Sequence, residues 1–177
     1  MSFNHVAGKA RQTIDDLMVI GKERVELVDF PLSLQFDSYT CGTRCVDMVL
    51  RYYLNLKVPL KELKQQCNTT REDGTPTEDL MQCLKSYGLL PVHKWKHAGM
   101  NDAIRSAIDM GHPVLAVVPT RDHVTEHWVV IHGYTLHPRT FLYRDPRPGF
   151  FKISRIKEYV IVGPKSKSAK SAVIQKK

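Results

Sequence analysis

The segment Gln35-Phe-Asp-Ser-Tyr-Thr-Cys41-Gly42-Thr-Arg-Cys45 places a cysteine where an amphipathic helix is predicted to begin. A helix N-terminus carries partial positive charge and free N–H groups, which favour thiolate over thiol. Thiolate is the form that attacks a carbonyl carbon. Gly42 has no side chain, which would let a substrate backbone approach the sulfur. Gln35, six residues upstream, can present an amide N–H to the same spot. Together with the backbone N–H of Cys41 it would make an oxyanion hole. The other interpretation of Cys41 is a small, inert core thiol, and this segment alone does not separate the two.

A nucleophilic cysteine needs a base and a group to orient that base. His127 leads the apolar run His127-Trp-Val-Val-Ile-His132-Gly-Tyr134, predicted as a buried strand. Asp145 closes the next predicted strand, just before Pro146. An antiparallel pair turning at residues 135–139 would carry the carboxylate back to the imidazole and fix its tautomer. Each residue also has a structural explanation: a half-buried histidine, and an Asp-Pro turn. His123 is a second candidate base in a charged loop. Cys45, one turn after Cys41, is expected to pack in the core. Cys67, Cys83, His93 and His97 have spacing too loose for a zinc site, and no metal or organic cofactor is expected. The alternation His93-Lys-Trp95-Lys-His97 is read as an exposed strand face rather than a nucleic-acid strip.

The elements that must position these groups are legible from periodicity. Apolar residues at Cys45, Val46, Val49, Leu50, Tyr53 and Leu54 predict a largely buried helix from Cys41 to about Asn55. Further helices are predicted over 56–67, from a Thr75–Glu78 capping box to Gly88, and from Asn101 to Met110. Strands are predicted over 113–118, 127–134, 140–144, 150–153 and 159–162. Residues 1–30 hold one amphipathic helix and a short alternating stretch. Helices first and strands later make this an α+β chain rather than a βαβ one.

A chain of 177 residues with 42% hydrophobic and 25% charged residues has the size and composition of one globular domain. Four cysteines are too few for a disulfide scaffold. There is no apolar run of membrane-spanning length and no signal-peptide stretch, so a cytoplasmic protein is expected. The net charge is +8, but Lys165, Lys167, Lys170, Lys176 and Lys177 supply five of those charges, leaving +3 on the body. A body so mildly basic disfavours nucleic acid as a partner. The expected division is an N-terminal extension over 1–30, a domain over 31–163 and a basic disordered tail over 164–177. Nothing in the sequence sets an oligomeric state.

The order Gln35, Cys41-Gly-x-x-Cys45, His127-Trp-Val-Val-Ile and Asp145-Pro146 resembles the papain-like cysteine peptidases. Within them it is most similar to the bacteriocin-processing, double-glycine leader peptidases and their stand-alone relatives. Residues 80–88 and 103–118 also look like that family's helix and first core strand, so the likeness spans roughly 31–162. Two departures stand out. Thr40 occupies a position where family members often carry Asp, and the best-known members precede a membrane transporter domain that this sequence lacks. The resemblance implies a papain-like α+β fold, with N-terminal helices packed on a C-terminal antiparallel sheet. It implies Cys41 as nucleophile, His127 as general base and acid, Asp145 as orienting residue and Gln35 as oxyanion donor. The expected activity is a cysteine peptidase that cleaves a peptide or protein amide through a thioester. Acyl transfer to an amine on the same site, or a non-catalytic peptide-binding module, are the other readings.

Overall fold

The apolar stripe that begins at Cys41 forms helix α1 (Cys41–Leu54), with Cys45, Val46, Met48, Val49 and Leu50 wholly buried. It stops at Asn55, whose φ of 51° is left-handed and lets its own N–H and that of Leu56 cap the carbonyls of Arg51 and Leu50. In this computed structural model, the described residues are 24–120, 125–147 and 155–165, with the backbone of 174–176.

Three further helices are described: α2 (Leu60–Gln66), α3 (Thr77–Ser86) and α4 (Met100–Asp109). Helix α2 starts four residues later than the sequence suggests, because Pro59 sits at its N-cap in extended geometry rather than inside the first turn. The predicted Thr75 capping box does not form. Thr75 Oγ1 instead faces Thr69 Oγ1 at 2.8 Å, and α3 starts after Pro76. Gly88 and Gly111, at φ of 76° and 80°, end the chain turns after α3 and α4 as expected.

The strands are β1 (Arg24–Leu27), β2 (Leu89–Trp95), β3 (Val114–Pro119), β4 (Glu126–Thr135), β5 (Thr140–Arg144), β6 (Glu158–Pro164) and β7 (Ile174–Lys176). All pairings are antiparallel, and the sheet runs β2-β6-β3-β4-β1-β7, with β5 on β4. Val130 pairs with both Leu115 and Arg144, and Thr135 with both Arg24 and Thr140. Strand β5 therefore takes one edge of β4, and β3 followed by β1 takes the other. Strand β3 is apolar throughout and β4 from Trp128 to Ile131, and both are nearly all buried, as continuous runs without alternation imply. Two strands come before or between the helices, so the sheet is not assembled from the C-terminal half alone.

The expected amphipathic helix before residue 24, the expected strand over 150–153 and His123 lie outside the described residues. Of the expected basic tail, residues 166–173 and 177 lie outside the described residues. Residues 174–176 pair with β1, with Val25 opposite Lys176 and Leu27 opposite Ile174. An edge strand with unpaired N–H and C=O groups is a template for such an addition.

Candidate active site

Cys41 is the first residue of α1, and the turn before it is built to hold it there. Asp37 Oδ1 accepts from the backbone N–H of Tyr39 (3.1 Å), the backbone N–H of Thr40 (2.9 Å) and the Thr40 hydroxyl (2.7 Å). A carboxylate on the free amides of a helix start satisfies groups the helix cannot. The acid missing from position 40 is thus supplied three residues earlier. Gln35 is buried and tied to the same turn, its Nε2 donating to the Asp37 carbonyl at 2.7 Å. Its backbone N–H donates to the Pro146 carbonyl at 2.8 Å, which joins this segment to the chain just beyond Asp145.

Strand β4 brings His127 to the sulfur. The Cys41 thiol hydrogen-bonds the imidazole and also meets the backbone N–H groups of Trp128 and Gly42. On its far side, His127 Nε2 lies 2.6 Å from Asp145 Oδ1. The nitrogen left for the thiol is therefore Nδ1. Antiparallel pairing of β4 with β5 returns the end of β5 to the start of β4, which is how residues 18 apart in sequence meet. Asp145 is itself fixed by its turn, since the backbone N–H of Arg147 donates to Oδ1 at 2.8 Å.

Gly42 has a different role from the one its position suggests. A Cβ at 42 would lie 2.5 Å from Thr75 Cβ and 3.0 Å from Trp128 Cδ1. The missing side chain makes room for the 69–75 loop and β4 rather than for substrate. Trp128 Nε1 donates to the Thr75 carbonyl (3.1 Å), and Thr43 Oγ1 lies 2.7 Å from Thr69 Oγ1, so the first turn of α1 is clamped by the 69–75 loop.

The profile of the peptidase C39 family matches residues 29–158, a span that contains every one of these groups. The chain belongs to the peptidase C39 family. It is therefore a cysteine peptidase, with the papain-like mix of helices and antiparallel sheet. Two solved structures resemble it. One is a double glycine motif protease from an AMS/PCAT transporter, crystallised with the leader peptide; it is 21% identical, covers 78% of this chain and 94% of its own, and has a TM-score of 0.60. The other is the peptidase domain of Streptococcus ComA, a bi-functional ABC transporter of a quorum-sensing pathway; it is 17% identical, covers 76% and 98%, and has a TM-score of 0.62. No curated protein matches the chain. None of the described helices of this C39 peptidase is long and apolar enough to cross a membrane.

Electrostatics at the site turn on a contest between burial and pairing. Burial is the largest influence on both groups and opposes charge, raising the thiol and lowering the imidazole. The His127 hydrogen bond and charge, with the Trp128 and Gly42 N–H groups, outweigh it at Cys41 and bring the thiol below 9.0. Hydrogen bonds to Asp145 and Cys41 outweigh it at His127 and lift the ring above 6.5. Cys45, with burial and the neighbouring Cys41 and Asp145 charges against it, is pushed far up.

The remaining candidates are accounted for by other contacts. His93 Nε2 meets Glu158 Oε2 at 2.6 Å, and His97 Nε2 meets Tyr159 Oη at 2.8 Å. Cys67 and Cys83 face one another in the core, Sγ to Sγ at 2.8 Å. One neighbour of the site escaped the sequence: Arg147, whose Nε lies 3.2 Å from His127 Nε2. The Asp-Pro turn at 145–146 was the available signal, since a turn that orients a carboxylate also aims the residue after it. A ring nitrogen holds either a proton or a lone pair, so Nε2–H to Asp145 and Arg147 to Nε2 are alternatives.

Proposed function

We propose that Cys41 is the nucleophile, His127 its base and acid, Asp145 the orienting carboxylate and Gln35 the oxyanion donor, acting on a peptide amide. The observation that carries this is the His127 ring, held between the Cys41 thiol and Asp145 Oδ1 at the start of α1. Nε2–H to Asp145 leaves Nδ1 to take the thiol proton. The sulfur then attacks the amide carbon, and the developing oxyanion faces the backbone N–H of Cys41 and a Gln35 N–H. Gln35 has two amide N–H groups and the Asp37 carbonyl uses one, so the other is available. The Nδ1 proton passes to the leaving amine, which departs and leaves a thioester. Water, deprotonated by His127, releases the acid and restores the thiol. A peptide substrate agrees with the leader peptide bound to the AMS/PCAT transporter protease.

The test is selective alkylation. Iodoacetamide under native conditions near neutral pH, followed by peptide mapping, is expected to label Cys41 far ahead of Cys45, Cys67 and Cys83. Equal labelling of all four removes the nucleophile. A Cys41→Ala variant is expected to fold and to lose all hydrolysis of a peptide-amide library; retained hydrolysis places the chemistry elsewhere.

A further inference from the structure

Two thiols stand outside the chemistry at Cys41. Cys67 is the C-cap residue of α2, and Cys83 lies on the inner face of α3 with Leu80 and Leu84. Both are free and buried, and their sulfurs are 2.8 Å apart. The junction around them is pinned on both sides. Asn68 Nδ2 donates to Asp79 Oδ1 at 2.8 Å, and the Tyr87 hydroxyl donates to Gln66 Oε1. Gln66 and Asn68 flank Cys67 in sequence, while Asp79 and Tyr87 stand one helical turn before and after Cys83. The two sulfurs are thus held face to face by contacts that do not involve sulfur. No group of three or more His, Cys, Asp or Glu that could hold a metal is present among the described residues, so what the pair offers is chemistry between its own sulfurs.

The pair is unsymmetrical. The hydrogen bond that Cys67 donates holds the Cys83 thiol below 9.0 against burial. The same bond, burial and the neighbouring Cys83 and Asp79 charges push Cys67 far up. Cys83 is therefore the sulfur that reacts first, since thiolate is the nucleophile. Helix α2 has seven residues, of which only Leu63 is buried. A small shift of its end supplies the approach to the roughly 2.05 Å of a disulfide bond.

We propose that Cys67 and Cys83 are a modification site, joined as a disulfide when the protein meets a peroxide. The Cys83 thiolate attacks one peroxide oxygen, the O–O bond breaks, hydroxide leaves and Cys83 becomes a sulfenic acid. The Cys67 sulfur then attacks the Cys83 sulfur, the S–O bond breaks and a second hydroxide leaves. The two thiol protons turn both hydroxides into water. Each sulfur gives up one electron, and the peroxide takes both. Burial slows the first step, in keeping with the lead expected of Cys41 in alkylation, and contact between the sulfurs speeds the second. The bridge closes a ring over residues 67–83. That ring contains Thr69 and Thr75, which clamp the first turn of α1 through Thr43 and Trp128. It staples the loop that holds Cys41 in place without touching the reacting atoms.

The test uses the full chain carrying Cys41→Ala, so that the active-site thiol does not consume the oxidant. The protein is treated with hydrogen peroxide, denatured in iodoacetamide and mapped by mass without reduction. A peptide pair linked through Cys67 and Cys83 is expected. The melting temperature is expected to rise by about 5–10 °C, to fall back with dithiothreitol, and not to rise when Cys83→Ala is added. Sulfinic or sulfonic acid at Cys83 with no linked pair overturns the proposal, as does a bridge to Cys45 or to a second chain. A linked pair with an unchanged melting temperature overturns the staple. Should the Cys83 variant fail to fold, the map and the reversal by dithiothreitol decide.

Discussion

Two cysteines on α1, one turn apart, are both buried, Cys41 at 7% exposure and Cys45 at 0%, yet their thiols move in opposite directions. Burial alone would raise both. Cys41 differs because the first turn of a helix has N–H groups to spare, and because β4 delivers an imidazole and the Trp128 amide to the same atom. At Cys45 the helix has used its amides on its own carbonyls, and the nearest charges are negative. Activation of a thiol here is a property of position and partners, not of exposure. It follows that moving the partner should move the difference between the two cysteines.

The largest effect is expected from His127→Ala. It should reduce hydrolysis nearly as far as removal of Cys41, and should shrink the alkylation advantage of Cys41 over Cys45; an unchanged advantage would show that the helix start alone activates the sulfur. Gln35→Ala should leave Cys41 alkylation intact while lowering the turnover rate by about a hundred- to a thousandfold. That split between labelling and turnover separates oxyanion stabilisation from thiolate formation.

The pH dependence follows from the two shifts. Cys41 lies below 9.0, so its charge is gained at lower pH than for an ordinary thiol and lost as pH falls through its folded value. His127 lies above 6.5, so its charge persists to higher pH and is lost as pH rises through its folded value. Hydrolysis should therefore be bell-shaped, and the alkylation rate of Cys41 should fall about tenfold per pH unit on the acid side. By linkage, the stability that Cys41 contributes is present above 9.0 and fades on acidification. That from His127 is present below 6.5 and fades on alkalisation. A monotonic rate profile would mean that the two groups do not titrate as a pair.

A smaller effect is expected from Gly42→Ala. The new methyl meets Thr75 Cβ, which is bonded directly to the backbone and cannot swing away by a rotamer change. A loss of about 1–3 kcal/mol in chemical denaturation is expected, with some loss of turnover as the first turn shifts. A neutral result would show that the 69–75 loop yields freely.

Much of this was legible in the residues themselves. Helix α1 and its first residue follow from an apolar stripe with a strong period, and β4 and β5 from apolar runs divided by a turn. His127 and Asp145 could then be paired, because an antiparallel hairpin fixes which ends meet. The limits are equally physical. Gly42 looked like room for substrate because its neighbours, Thr75 and Trp128, come from distant segments that no local pattern reveals. Thr75 looked like a cap because nothing in a capping-box pattern says that Thr69 competes for the hydroxyl. The strand at Ile174–Lys176 was hidden among lysines, since an edge strand recruits its partner through backbone groups that every residue possesses. The facing of Cys67 and Cys83 depends on how α2 meets α3, and only the folded arrangement joins them.

The hydrogen bond from Gln35 N–H to the Pro146 carbonyl has a kinetic meaning. It closes a loop of 111 residues, and the pairing of Cys41 with His127 closes one of 86. Local elements such as α1 can form in microseconds, while contacts of this separation wait for loop closure and sheet assembly. During synthesis, helix α1 leaves the ribosome long before β4 and β5 do. For that interval its thiol has no imidazole and its Gln35 has no Pro146, so the sulfur stays protonated at neutral pH. With the proposed roles of Cys41, His127 and Gln35, proteolytic competence comes late in folding, and a nascent or partly folded chain carries no active blade.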